Sequence, residues 1–257
     1  MDFEVCFLPR EATRQPSPVA VVIDVIRAST TVVTLLDRGC SEVILVGHTD
    51  RPRLAELRAR LGALVCAEDA SGLKAADADL PPSPAALRGL DLAGRRVILA
   101  TTNGTLAVEL VHESGVEHVL VGCMRNAAAV MRAAVALAHR LDRSISLVCA
   151  GREQCRIPAL DDTYCAAALL RHGEDLARAA GTTASLLESA RIARHAASVF
   201  AGVREAFDQS MSAAVVRRIG SPEDVGYCAE EDVSQLVPVL TFGTGTPAIV
   251  VKKETMG

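Results

Sequence analysis

The chain has no tryptophan, two tyrosines and five phenylalanines among its 257 residues. A large aromatic platform for a ligand is therefore not expected, and the core has to be built from Val, Leu, Ile and Ala, which suits helices packed closely on a sheet. No apolar run approaches the roughly 18 residues that argue for a membrane span. The opening Met1-Asp-Phe-Glu-Val-Cys6 also lacks the basic region of a signal peptide. These absences predict a cytoplasmic chain with no membrane partner. Lys+Arg number 27 against 31 Asp+Glu, giving a formal charge of -4 and a pI near 5.9. With no stripe of Lys and Arg there is no electrostatic footprint for nucleic acid, so the expected partner is a small molecule. The eight cysteines stand at 6, 40, 66, 123, 149, 155, 165 and 228, nowhere as Cys-x-x-Cys. Neither a zinc cluster nor a disulfide framework follows, and they read as small buried hydrophobes.

What the sequence does contain is a rhythm of apolar runs rich in β-branched residues. They lie at Val19 to Ile23, Glu42 to Val46, Ala63 to Cys66, Arg96 to Leu99, His118 to Val121 and Ser144 to Cys149. Near-continuous runs of this kind suit strands buried on both faces of a mainly parallel or mixed sheet. Helical patterns fall between them, at Thr30 to Asp37, Arg51 to Leu61, Gly104 to Glu113, Asn126 to Leu141 and Asp161 to Arg171. The fold class is accordingly a three-layer α/β/α unit over residues 1–257. After residue 172 the chain becomes helix-rich, at Ala184 to Val199 and Met211 to Ile219, before closing strands at Leu236 to Leu240 and Ala248 to Val251. A division into lobes 1–172 and 173–257 is the alternative organisation. Glu68 to Leu92, with Pro81, Pro82 and Pro84, reads as a long loop, either a binding segment or a solvated connection.

In open α/β sheets ligands bind outside the carboxyl ends of the strands, so the polar residues that follow each run are the informative ones. Asp24, Arg27, Ser29 and Thr30 follow the first run, and Glu68 and Asp69 follow the third. Thr101, Thr102, Asn103, Gly104 and Thr105 follow the fourth; Asn126 stands after the fifth and Arg152 after the sixth. The Thr101–Thr105 turn opens a helix, which aims backbone N–H groups and the positive end of the helix dipole at an anion. A simple N-cap by Thr102 or Asn103 is the alternative. Arg27 and Arg152 offer guanidinium forks for a phosphate or sulfonate, and a carboxylate-paired surface arginine is the competing reading for each. Asp24, Glu68, Asp161 and Asp162 supply hard oxygens of the kind that hold Mg²⁺. Asp24 could instead pair with Arg27, and Asp161 and Asp162 could be ordinary first-turn acids.

Two imitations are set aside. Cys165 to Arg171 has the Cys and Arg spacing of cysteine phosphatases, but it is an apolar run without glycine and reads as core. Gly243-Thr-Gly-Thr-Pro-Ala248 imitates a dinucleotide fingerprint without a following helix, so it reads as a turn.

The strand-end segments, in their order, resemble the 2-phosphosulfolactate phosphatase (ComB-like) family. The resemblance is carried by Val22-Ile-Asp-Val-Ile-Arg-Ala-Ser-Thr-Thr31, Thr101-Thr-Asn-Gly-Thr105, Gly122-Cys-Met-Arg-Asn-Ala127, Cys149-Ala-Gly-Arg152, Asp161-Asp162 and Val237-Pro-Val-Leu240, and it spans nearly the whole chain. It implies the α/β/α fold of that family, Mg²⁺ dependence, and hydrolysis of a phosphate ester on a small sulfonated acid, a step toward coenzyme M. Under it, Asp24, Arg27, Asp161 and Asp162 are catalytic, and Asp24, Glu68, Asp161 and Asp162 hold metal. Ser29, Thr30, Thr101 to Thr105, Asn126 and Arg152 bind substrate, and a homodimer is an open expectation. The sequence departs from the family pattern at Ala67-Glu-Asp-Ala-Ser-Gly72 and at Leu80-Pro-Pro-Ser-Pro84, where an Asn-bearing loop is usual, and at Asp161-Asp162, where Glu-Asp is usual. Those departures bear on substrate identity more than on fold.

Overall fold

In a computed structural model the described residues are 1–12, 17–47, 52–141, 144–242 and 249–254. Ten strands form one sheet: β1 (Asp2–Cys6), β2 (Val19–Ile23), β3 (Glu42–Leu45), β4 (Leu64–Ala67), β5 (Arg96–Ala100), β6 (His118–Val121), β7 (Ile145–Cys149), β8 (Ser185–Leu186), β9 (Val237–Phe242) and β10 (Ile249–Glu254). The helices are α1 (Ala28–Asp37), α2 (Leu54–Leu61), α3 (Pro84–Leu87), α4 (Gly104–Glu113), α5 (Ala127–Leu141), α6 (Leu160–Ala179), α7 (Glu188–Ala197), α8 (Val203–Asp208), α9 (Met211–Arg218) and α10 (Glu223–Cys228). The spatial order is β4-β5-β3-β10-β9-β6-β2-β7-β1-β8. All pairs are parallel except those made by β9 and β10. The sheet is thus mixed, and the closing hairpin sits between two parallel halves.

Strand β2 explains the layers. All five of its residues are buried, and because side chains alternate across a sheet its two faces separate cleanly. Val19, Val21 and Ile23 pack with Val130 and Met131 of α5 and Leu169 of α6. Ala20 and Val22 pack with Val32 and Leu35 of α1 and Val108 and Val111 of α4. The three-layer expectation holds.

Several boundaries differ from expectation. Strand β1 was not anticipated, because Asp2 and Glu4 interrupt its apolar pattern, yet it lies between β7 and β8 in the sheet. The helix expected from Ala184 begins at Glu188, and Ser185–Leu186 join β1 instead. The segment after Glu68 is built rather than open: Asp79 and Leu80 donate backbone N–H groups to Val65, and Ser83 caps α3 by accepting from Ala86 N. The predicted turn at Gly243 to Ala248 lies outside the described residues. All eight cysteines are buried and unbridged, and Cys165 lies in the core side of α6, as expected.

The sheet is also bent. In its order β5 and β2 stand five places apart, about 24 Å in a flat sheet. Yet the start of α4, which follows β5, lies against the start of α1, which follows β2. A Cβ on Gly104 would stand 2.4 Å from Ala28 Cβ and 2.9 Å from Asp24 Oδ2. Only glycine permits that approach, and it brings the ends of distant strands to one place.

Candidate active site

The carboxyl ends of β2, β4, β5 and β7 open into one cleft of about 320 Å³, lined by Asp24, Arg27, Glu68, Thr101, Thr102, Asn103, Gly151, Arg152 and Asp162 among others. Helices α1 and α4 begin on it, with Arg27 and Asn103 at their N-caps, and α6 begins behind it with Asp161 and Asp162 in its first turn. Three helix N-termini therefore direct their partial positive charge toward one region, an arrangement that favours anions.

Against that positive field stands a group of buried carboxylates. Asp24 is pushed up to about 7, chiefly by burial, and the N–H of Ala28, 3.3 Å from Oδ1, pulls the other way. Glu68 and Asp161 add repulsion. Asp161 is pushed up to about 6, again by burial, although the Ser212 hydroxyl donates to its Oδ1 at 2.9 Å and Arg152 attracts it. Asp162 is raised well above the usual carboxylate range by burial and by its neighbours Asp161 and Asp24. Both of its oxygens accept backbone bonds, from Val25 N at 2.8 Å and Gly151 N at 2.9 Å. Asp162 therefore ties the ends of β2 and β7 together from beneath.

Arg27 does not pair with Asp24, the competing explanation for both residues. Its Nη1 donates to Asp224 Oδ2 at 3.1 Å, and its Nη2 to the Gly72 carbonyl at 2.8 Å and Glu68 Oε2 at 3.5 Å. Glu68 in turn accepts the Thr102 N–H at 2.9 Å, so the protein's own carboxylate sits at the helix start predicted to receive an anion. Arg152 lines the cleft and makes no ion pair among the described residues. It lies on an unusual loop. Glu153, Gln154 and Cys155 are all left-handed, with φ of 51°, 58° and 59°, a conformation that costs roughly 1–2 kcal/mol per non-glycine residue. Bonds from Arg156 N to Arg152 O (2.9 Å) and from Gln154 N to Asn103 Oδ1 (2.9 Å) hold it.

Other candidates fall outside the cleft, their side chains engaged in local structure. The Ser29 hydroxyl donates to Asp24 O, Thr30 to Val25 O and Thr105 to Thr101 O. Asn126 is fully buried, bonded to Val121 O, Leu236 O and Cys123 N. Gly104 contributes by its lack of a side chain. Conversely, sequence reasoning missed Gly72, Ser212 and Asp224. Nothing local marks them, since Asp224 in Ser221-Pro-Glu-Asp looks like any first-turn acid.

Residues 6–243 match the family model described as 2-phosphosulpholactate phosphatase. The chain belongs to the 2-phosphosulpholactate phosphatase family. A probable 2-phosphosulfolactate phosphatase of Deinococcus radiodurans is 36% identical over 230 residues, covering 90% of both chains. One of Thermus thermophilus is 30% identical over 98% of this chain and 100% of its own, and one of Thermotoga petrophila is 31% identical over 87% and 89%. Membership in this phosphatase family places the chain among phosphoric monoester hydrolases. Among the described residues no helix is long and apolar enough to cross a membrane.

The family raises the question of Mg²⁺. Buried, mutually repelling carboxylates with raised pKa values are relieved by a hard cation, and their oxygens suit it. No three His, Cys, Asp or Glu side chains converge as a cage among the described residues. Mg²⁺ is commonly held by one or two carboxylates, with waters and substrate phosphate completing the shell. The donor set fits that mode.

Proposed function

We propose that the chain is a Mg²⁺-dependent phosphatase that hydrolyses the phosphate ester of 2-phosphosulfolactate, or of a closely related small phosphorylated 2-hydroxy acid, to the hydroxy acid and phosphate. The observation that carries this reading is the meeting, in one cleft of about 320 Å³, of helix starts and arginines with buried carboxylates. A protein that only binds an anion has use for the first two and none for the third.

Asp24, which lines the cleft, would hold Mg²⁺, with Asp161, buried behind it in the first turn of α6 and not among the lining residues, as the second carboxylate. When bound, the ion supplies positive charge against the phosphoryl oxygens. Phosphoryl transfer asks a protein mainly for positioning and electrostatic stabilisation. Arg152, with no ion pair among the described residues, clamps the acid group of the substrate remote from phosphorus. Arg27 and the start of α4 frame the phosphate, and Asp162 keeps the β2 and β7 ends in register beneath it. Residues 69–72 and Pro82 line the cleft beside them.

The test is phosphate release from 2-phosphosulfolactate by the purified chain in Mg²⁺, with loss of turnover in EDTA and recovery on adding Mg²⁺ back. Tight binding of the ester with no release under those conditions would establish a binding protein instead.

A further inference from the structure

Asp224 lies in the first turn of α10, and its side chain is fully buried. A carboxylate in such a place is tolerated only when paired and hydrogen-bonded. Its partners come from two other parts of the chain. Oδ2 accepts from Arg27 Nη1 at 3.1 Å, across 197 residues of sequence. Oδ1 accepts the Ser83 hydroxyl at 2.6 Å and the Ala85 N–H at 3.1 Å. From Arg27 the connection continues through Nη2 to Gly72 O and Glu68, and from Glu68 Oε1 to the Thr102 N–H at the start of α4. Arg27, Glu68, Gly72 and Thr102 all line the cleft, and Asp224 does not. A guanidinium donates in one plane, so holding Nη1 from behind sets the direction of Nη2 and of the face turned to the cleft.

We propose that Asp224 is a positioning residue of the active site, holding the Arg27 guanidinium and, through it, the Glu68–Thr102 wall in the geometry that receives the substrate's phosphate. This role rests on the phosphatase reading above. Without Asp224, the carboxylates left to act on Arg27 line the cleft itself, Glu68, already 3.5 Å away, and Asp24, and a tighter pair with either would draw the arginine away from the substrate.

The experiment compares Asp224→Asn, nearly the same shape without the charge, with Ser83→Ala, which removes a partner of Asp224 that does not line the cleft. Arg27→Ala and its double variant with Asp224→Asn accompany them. Turnover of 2-phosphosulfolactate in Mg²⁺, thermal unfolding, and calorimetric binding of inorganic phosphate are measured on each. Asp224→Asn is expected to lower kcat by at least about tenfold with KM within about threefold, the scale on which a supporting partner of a site residue acts. Ser83→Ala lowers the melting temperature and leaves kcat within about twofold, and Asp224→Asn adds little to Arg27→Ala. Unchanged kcat and KM in folded Asp224→Asn, or losses that multiply in the double variant, overturn the proposal. If the wild-type chain releases no phosphate, the phosphatase reading fails by itself. Positioning is then read from phosphate affinity, which a loss of about tenfold in Asp224→Asn upholds. An unchanged affinity, or no phosphate binding by the wild type, overturns it.

Discussion

The two walls of the cleft are built by different means. On one side β2 and β7 are neighbours in the sheet, paired from Val19 opposite Ile145 to Ile23 opposite Cys149. Their ends are therefore placed by the ladder, and Asp162 has only to bridge two amides already close together. On the other side β4 and β5 belong to the far half of the sheet, and nothing in the strand pairing brings their ends to Asp24. There the wall is held by side-chain charges, Asp224 to Arg27 to Glu68, and by the close approach that Gly104 allows. Backbone bonds between adjacent strands give rigidity with little side-chain ordering. Ion pairs across sequence-distant segments depend on burial and on every partner being present. The first wall should respond to substitution mainly in stability, and the second mainly in function.

The largest effect is expected at the group both walls flank. Asp24→Asn leaves the ladder and the ion pairs intact, and turnover should fall by at least about 10²-fold, the scale of losing one catalytic electrostatic group. Near-normal turnover would make Asp24 structural. Next comes the backbone-built wall: Asp162→Ala strands the amides of Val25 and Gly151. At about 1–3 kcal/mol per unpaired buried donor, partly offset by removing a buried acid, a loss on the order of 2–4 kcal/mol is expected in denaturant unfolding. A smaller loss would mean that the ladder alone holds this wall.

The third prediction uses pH. Asp24 and Asp161 are raised, to about 7 and about 6, above the ordinary value of 3.8. Each holds a proton in the folded state that the unfolded chain releases. Their contribution to stability is whole below pH about 4 and is lost as pH rises through 6 and 7. Asp24→Asn should therefore gain in melting temperature relative to wild type between pH 5 and pH 8. Mg²⁺ should raise the wild-type value at pH 8 more than that of the variant. A difference that stays flat with pH would show that Asp24 is not held protonated. The smallest effect is expected from Arg152→Lys, where a point charge replaces a planar fork. KM should rise a few-fold at nearly constant kcat, and a fall in kcat at constant KM would place Arg152 on the reacting phosphoryl group instead.

The sequence by itself determined the strands buried on both faces, the helices between them and the polar strand ends, because these are local patterns of burial and of backbone preference. Thus Val19 to Ile23 and His118 to Val121 were legible to the residue, and so were Asp24, Arg152 and the turn at Thr101 as cleft residues. The strand-end reading and the family motifs both singled out Ser29, Thr30, Thr105 and Asn126 as well, but neither a strand-end position nor a motif says whether a residue meets a ligand or the backbone, and these four meet the backbone. Only the tertiary structure decided that β1 enters the sheet despite its acids, that β9 and β10 lie between the parallel halves, and that the sheet bends until α4 touches α1. It also decided that Arg27 belongs to Asp224 rather than to Asp24 three residues away. The physical reason is the same in each case: pairing of distant strands and of buried charges is settled by which groups are left without water when the whole chain closes, and neighbours in sequence carry no record of that.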